Sequence, residues 1–320
     1  MKAMDGATNT IEVRNLQKGY KGVPVLHDVS FTVEPGTVFA LLGANGSGKT
    51  TTINILTTLI KADGGTARVA GFDVAAQPAK VREQITLTGQ FAAVDDVLTA
   101  RENLVLMGEL RHIPDPERTA AELLDKFDLN DAADRRLLTF SGGMRRRLDI
   151  AMSLVGDAPV IFFDEPTTGL DPIGRTDMWQ TIRELAKSGT TVFLTTQYLE
   201  EADRLADEIA ILHGGRIVAE GPPDELKTMV PAGLVELEFG EPEQLAAAQR
   251  ALDGQHNVSR VDAKLVVVTT GSVAEMADMF IRLRDTGIEP TRFTKQTPTL
   301  DDVFFKILDE EKEDRHASSE

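Results

Sequence analysis

Residues 43–50 read Gly-Ala-Asn-Gly-Ser-Gly-Lys-Thr, directly after the apolar run VFALL (38–42) and directly before a helical stretch that opens near Thr51. The spacing fits the phosphate-binding pattern G-x-x-x-x-G-K-[ST] in the strand-loop-helix setting that the pattern requires. Glycines let a backbone wrap closely around an anion, and the amide N–H groups of the loop and of the helix N-terminus supply partial positive charge. Gly43, Ala44, Asn45, Gly46, Ser47, Gly48, Lys49, Thr50 and Thr51 are therefore the candidate phosphate cradle. Lys49 is expected to reach the β- and γ-phosphates and Thr50 to ligate Mg²⁺.

A cradle of this kind needs a buried parallel sheet to hang from, and the rest of the chain supplies one. From about Asn9 to Gly221, short β-branched or apolar runs alternate with helical stretches: ARVA (67–70), ITLT (85–88), VIFF (160–163), TVFL (191–194) and EIAIL (208–212). Continuous apolar runs are the mark of strands buried on both faces, and the alternation predicts an α/β domain with a mostly parallel sheet, here with antiparallel N-terminal strands, over 9–222. Between Glu102 and Thr139 the strand signals stop, and the spacing of Leu123, Leu124 and Phe127 is helical. This stretch reads as an inserted helical subdomain over about 91–158 or as a pair of connecting helices.

The run VIFFDE (160–165) ends a buried strand in two carboxylates. Beside the cradle, Asp164 is placed to ligate Mg²⁺ and Glu165 to act on the attacking water. The implied ligand is a nucleoside triphosphate with Mg²⁺.

Gly221-Pro222-Pro223 punctuates the chain, and a different pattern follows. GLVELEFG (233–240), EQLAAAQRAL (243–252), VSRVDA (258–263), KLVVVTT (264–270), VAEMADMFIRL (273–283) and IEPTRFT (288–294) give the order βαββαβ. That order predicts a small α+β, ferredoxin-like domain over 223–310. Met276, Met279, Phe280 and Leu283 lie at i, i+3, i+4 and i+7, a buried helical face rather than a cofactor box. A last helix opens at Thr299 with Asp302 three residues on and carries Val303, Phe304, Ile307 and Leu308 on one side. The remaining tail, 311–320, is charged, aromatic-free and expected to be disordered.

Composition narrows the setting. The formal net charge is −17, from 51 acidic and 34 basic side chains. A field of that sign repels phosphate backbones and anionic lipid heads, so no nucleic-acid partner is expected and phosphate must be held by a local device. No apolar run approaches the roughly 18 residues of a membrane-spanning helix. MKAMDGATNT lacks a secretory signal's apolar segment, and with no cysteine there is neither disulfide nor thiolate metal site. The five histidines show no metal-ligand spacing. A cytosolic chain is expected.

Between the cradle and VIFFDE lies TFSGGMRRRLDIAMSLV from Thr139, and PTTGLDP follows from Pro166 to Pro172. With these two segments the chain resembles the ATP-binding-cassette ATPases, in which a Ser-Gly-Gly signature precedes the Asp-Glu strand and a Gly-Leu-Asp loop follows it. Ser141, Gly142 and Gly143 would cap a helix whose apolar positions Leu148, Ala151, Met152 and Val155 keep helical spacing, leaving its N-terminus toward an anion. The resemblance implies a head-to-tail dimer sandwiching two ATP molecules, with the signature and Asp171 of one subunit completing the cradle of the other. It also implies that Tyr20 (in KGYKG) stacks on adenine, and that Gln90, after ITLTG, senses Mg²⁺ and relays to a membrane partner. A loop tyrosine stays open as the alternative for Tyr20. Arg145 to Arg147 read either as a functional patch or as a solvated helix face.

GGMRRRLDIA, LTGQFAAVDD, DEPTTGLDP, TTQYLEEAD and TLDDVFF are similar to the daunorubicin-resistance group of exporter ATPases. The likeness covers nearly the whole chain, weakest between Gly233 and Phe293. It implies a separate integral membrane permease, export of drugs or lipidic compounds, a peripheral place on the cytoplasmic side of the cell membrane, and a C-terminal domain that regulates or stabilises the dimer. Two residues depart from the wider family: Gln197 stands where most members carry histidine at the γ-phosphate, and Met144 replaces glutamine in the signature. Glutamine can donate to a phosphate oxygen but cannot become a cation near neutral pH, so Gln197 is read either as a working variant or as an inert linker. Import, a cassette ATPase acting on DNA or ribosomes, and a GTPase-like switch are the alternatives; no Asn-Lys-x-Asp guanine-recognition segment is present.

Overall fold

The computed structural model describes residues 9–88, 95–156, 158–230, 233–254, 257–261, 264–269 and 272–317. Gln90 lies outside the described residues. The chain divides into two compact units between Pro222 and Pro223.

The first unit holds two sheets. Strands β1 (Ile11–Tyr20), β2 (Val23–Val33), β4 (Gly64–Val69) and β5 (Phe72–Asp73) pair antiparallel in the order β2-β1-β4-β5. The second sheet runs β10-β9-β3-β8-β7-β6, with β3 (Val38–Leu42), β6 (Ile85–Thr88), β7 (Val160–Asp164), β8 (Thr191–Thr196) and β9 (Glu208–His213) parallel and β10 (Arg216–Gly221) antiparallel at one edge. Every residue of β3, β7 and β8 is buried, which is why these segments read as unbroken apolar runs instead of alternating ones. An aromatic stack joins the sheets: Phe31 lies 5.1 Å from Phe39, which lies 5.4 Å from Phe193, itself 5.4 Å from Phe162. Ile53, Ile55 and Leu56 of α1 (Lys49–Leu56) join the same core.

After α2 (Pro78–Gln84) and β6 come α3 (Ala100–Leu110), α4 (Pro116–Lys126) and α5 (Gly142–Ser153), with no named strand among the described residues between them. The helix α3 opens with a capping box in which Thr99 and Glu102 satisfy each other's backbone N–H groups. Beyond β7, α6 (Pro172–Lys187) buries Met178, Ile182 and Leu185, and α7 (Leu199–Leu205) buries Ala202 and Leu205.

The second unit begins with α8 (Pro223–Lys227) and continues as β11 (Gly233–Glu238), α9 (Pro242–Leu252), β12 (Asn257–Val261), β13 (Lys264–Thr269), α10 (Val273–Asp285) and β14 (Arg292–Gln296). All pairs are antiparallel, in the order β12-β13-β11-β14, the ferredoxin-like arrangement. Val235, Leu237, Leu265 and Val267 alternate inward against Leu245, Leu252, Met279 and Leu283. The last strand begins at Arg292, later than IEPTRFT suggests, since Pro290 has no N–H to give to a ladder.

The final helix α11 (Leu300–Ala317) corrects one expectation, because it continues through 311–317 where a disordered tail is predicted. Its continuation, DEEKEDRHA, carries Glu, Lys and Arg, residue types of high intrinsic helix propensity. Helix propensity prevails there over low hydrophobicity. The opening follows the sequence: Thr299 N–H and hydroxyl donate to Asp302 (2.9 and 2.8 Å), and Val303 and Ile307 are buried.

Candidate functional site

Three neighbouring strands bring the first group of residues together. Leu42 pairs with Thr196 and Thr195 with Asp164, so the residues following β3, β8 and β7 emerge side by side at the carboxyl end of the sheet. That edge is where open α/β sheets bind ligands. Gly43 N–H donates to the Thr196 carbonyl at 3.1 Å, which sets Gln197 next to the start of the cradle.

The cradle is dictated by its glycines. A Cβ on Gly43 would lie 2.4 Å from the Leu212 carbonyl oxygen, and Gly46 and Gly48 hold φ of 82° and 113°, values open to glycine and strained for other residues. Gly48 caps α1 without a side-chain bond, leaving the N–H groups of its first turn to be met by something else. Ser47 Oγ is buried without a partner. Thr50 is exposed at the second position of α1. These features suit a phosphate group, which wants converging N–H donors and a small hydroxyl.

Lys49 is 4% exposed, and its ammonium donates to the carbonyls of Gly43 (2.8 Å) and Ala44 (3.1 Å) while lying 3.6 Å from Glu165 Oε1. Burial pushes its pKa down, and the neighbouring carboxylates of Glu165 and Asp164 oppose that push. Asp164, also buried, accepts from the Thr195 hydroxyl at 2.6 Å. Glu165 adopts φ 51°, a left-handed value, held by its N–H donating to the carbonyl (3.1 Å) and hydroxyl (3.2 Å) of Thr195. Thr195 thus holds the Asp164 carboxylate and the backbone that carries Glu165. Nothing in the sequence marks it beyond a threonine inside an apolar strand.

A second group sits apart. Ser141 caps α5, accepting from Met144 N–H at 3.3 Å, and Asp171 caps α6, accepting from Gly174 N–H at 2.7 Å. A Cβ on Gly142 or Gly143 would meet nothing within 4 Å, so both glycines face open space. A groove of about 170 Å³ between the two helices is lined by Ser141, Gly143, Met144, Leu170, Asp171 and Ile173, among others, and by no residue of the cradle.

The arginine triplet resolves residue by residue. Arg146 is partly buried, donating to the Pro166 carbonyl at 3.0 Å and to Asp149 at 2.9 Å. Arg145 reaches Asp96 and the Leu137 carbonyl, and Arg147 lies 3.6 Å from Asp128. Tyr20, 45% exposed, ends β1 with the Lys18 ammonium 5.5 Å from its ring centre. Asp63 holds that end of the strand through Lys18 (2.7 Å) and Gly19 N–H (2.8 Å).

A glycine-lined cradle, a buried lysine and two strand-end carboxylates define a P-loop nucleoside triphosphatase, and the capped Ser-Gly-Gly helix places it in the cassette class. The ABC transporter family profile matches residues 26–168, and that of the DrrA1-3-like ATP-binding protein C-terminal domain matches 221–308. The chain is 42% identical over 320 residues to the daunorubicin resistance ATP-binding protein DrrA2 of Streptomyces coeruleorubidus, covering 98% of this chain and 99% of that one. It is 43% identical to the daunorubicin/doxorubicin resistance ATP-binding protein DrrA of Streptomyces peucetius, covering 96% and 95%. A Nod factor export ATP-binding protein I of Sinorhizobium fredii is 35% identical, covering 95% and 87%. Among solved structures, an ATP-binding subunit of an ABC transporter superposes with TM-score 0.62 at 31% identity, covering 69% of this chain and 92% of that one. A dimeric ATP-binding cassette in a post-hydrolysis state with ADP and Pi gives TM-score 0.61 at 25% identity, covering 66% and 98%. The chain belongs to the ATP-binding subunits of ABC transporters and is an ATP hydrolase. No helix among the described residues is long and apolar enough to cross a membrane.

Proposed function

We propose that this protein energises export of drug-like or lipidic compounds through a separate integral membrane permease, bound peripherally at the cytoplasmic face of the membrane. The export reading is supported by near-full-length likeness to drug-resistance and Nod factor export subunits, including the C-terminal domain. The catalytic reading rests on one observation: Glu165, fixed by Thr195, faces the Lys49 ammonium at 3.6 Å inside the cradle.

Gly43 to Thr51 would hold the phosphates, with Lys49 exchanging its loop carbonyls for β- and γ-phosphate oxygens. Thr50, Asp164 and Gln90 would hold Mg²⁺, whose charge offsets that of the phosphates. Glu165 takes the proton of the attacking water, and Gln197 gives an amide N–H to the γ-phosphate. Tyr20 stacks on adenine. Ser141, Gly142, Gly143 and Asp171 complete the site of a second copy in a head-to-tail homodimer, since the signature groove shares no lining with the chain's own cradle. Closing on ATP and reopening after hydrolysis would drive the permease. The net charge of −17 disfavours a nucleic-acid partner.

Glu165→Gln should bind a fluorescent ATP analogue normally and lose hydrolysis by about 10²–10⁴-fold, the range for a removed general base; unchanged turnover would remove Glu165 from that role. Lys49→Ala should lose analogue affinity. Gln197→Ala should lower hydrolysis while Gln197→His retains it; an unaltered rate in both would leave Gln197 an inert linker.

A further inference from the structure

Glu201, the third residue of α7, is 1% exposed, and no catalytic role described above uses it. A carboxylate in so dry a place is costly unless its partners hold it, and apolar packing of α7 does not need one. Its neighbours come from three separate elements. Trp179 Nε1 of α6 donates to Oε1 at 3.3 Å, and the Arg175 guanidinium of the same helix adds positive charge while stacking 5.0 Å from the Tyr198 ring centre. The hydroxyls of Thr196, at the end of β8, and Thr167, in the loop after Glu165, face the same carboxyl group.

Both threonines are tied onward. The Thr196 carbonyl accepts from Gly43 N–H in the cradle, and its hydroxyl accepts from Tyr198 N–H at 2.9 Å. Thr167 follows Pro166, whose carbonyl is held by Arg146 from the signature helix. We propose that Glu201 is a positioning residue that ties the strand end carrying Gln197 to the loop between Glu165 and Asp171, so that γ-phosphate occupancy is transmitted to the face offered to a second copy of the chain. This rests on the nucleotide reading above.

The network is built one step short of closure, as a switching element requires. Glu201 Oε2, Thr167 Oγ1 and Arg175 Nε are all buried, and none meets a partner in full hydrogen-bond geometry. A half-satisfied buried network is costly, so a shift of the loop or of α7 that paired Thr167 Oγ1 or Arg175 with Glu201 Oε2 would be favoured. Burial also pushes the Glu201 carboxyl above the ordinary carboxylate range, consistent with its incomplete pairing.

Trp179 is the chain's single tryptophan, so its emission reports on this cluster alone. The full-length wild type, Glu201→Gln, Glu201→Ala and Thr167→Val would be compared in fluorescent ATP-analogue titration, steady-state ATPase, tryptophan emission with ATP or ADP, and ATP-driven dimerisation by sedimentation. We expect ATP, and not ADP, to shift Trp179 emission in the wild type and in Glu201→Gln, which keeps the shape and the acceptor. Glu201→Ala and Thr167→Val should bind the analogue within about twofold of wild type, yet dimerise weakly and lose tenfold or more in kcat with KM unchanged. Thr167 does not contact Trp179 in the network, so loss of the ATP-specific shift in Thr167→Val reads transmission rather than local quenching. Wild-type dimerisation and kcat in Thr167→Val would overturn the proposal, including where Glu201→Ala fails to fold. Loss of analogue affinity in step with kcat would overturn it as well, showing a structural role only. A wild type that binds no ATP analogue would sink the nucleotide reading itself.

Discussion

Thr195 is the residue on which the site's geometry turns. Its hydroxyl donates to Asp164 and receives Glu165 N–H, and through these bonds Glu165 keeps a left-handed φ of 51° that a residue with a Cβ rarely adopts. Thr195→Val keeps the shape and removes both bonds. The expected result is a fall of about tenfold in kcat with little change in analogue affinity, and a stability loss of about 1–3 kcal/mol for the buried Asp164 carboxylate left without that donor. Steady-state kinetics beside urea unfolding would check it, and an unaltered kcat would show that Glu165 is held by the loop alone. The cradle is legible at this scale because its glycines, lysine and threonine are fixed by spacing along one stretch of chain. Thr195 and Glu201 are not, because their partners lie 31 and 22 residues away in sequence.

Among the elements, α5 and α6 present matching caps, Ser141 and Asp171, across one groove. Ser141→Ala removes the bond to Met144 N–H and should cost about 1 kcal/mol of stability, the ordinary effect of an N-cap. If the serine also faces a second copy's phosphate, ATPase activity should fall far more than that loss accounts for, by about tenfold or more at a temperature where the variant is fully folded. Activity that tracks stability alone would confine Ser141 to capping. The helical spacing of Leu148, Ala151 and Met152 is enough to mark the buried face of α5, and all three are buried, as is Val155 just beyond the helix end. Arg146 breaks the pattern: on charge alone it reads as surface, and only the packing of α5 against the loop at Pro166 draws it partly out of solvent, bonded to the Pro166 carbonyl and Asp149. The continuation of α11 through its charged tail is the reverse case, in which local propensity keeps a helix going where little hydrophobicity supports it.

Across the whole molecule, each unit carries its own core: the aromatic stack at the sheet-sheet contact in the first, and the inward face of β11 and β13 in the second. Leu237→Ala in the second core should therefore lower that unit's stability by about 2–5 kcal/mol and leave analogue affinity near wild type. A matching loss of nucleotide affinity would show that the two units unfold as one. The order of residues along the chain suffices for the α/β class, the break at Pro222, the βαββαβ order and the cradle with its strand-end carboxylates. Each of these is written in periodicity or in the spacing of a few adjacent residues. Folding in three dimensions settles the rest: that Thr195 holds the Asp164 carboxylate and the Glu165 backbone, that Arg146 is tied to Pro166 and Asp149, that Glu201 is buried, and that the signature groove stands apart from the chain's own cradle. Those features depend on strand register and helix packing between distant segments, where burial and the direction of a side chain, rather than its type, set what it does.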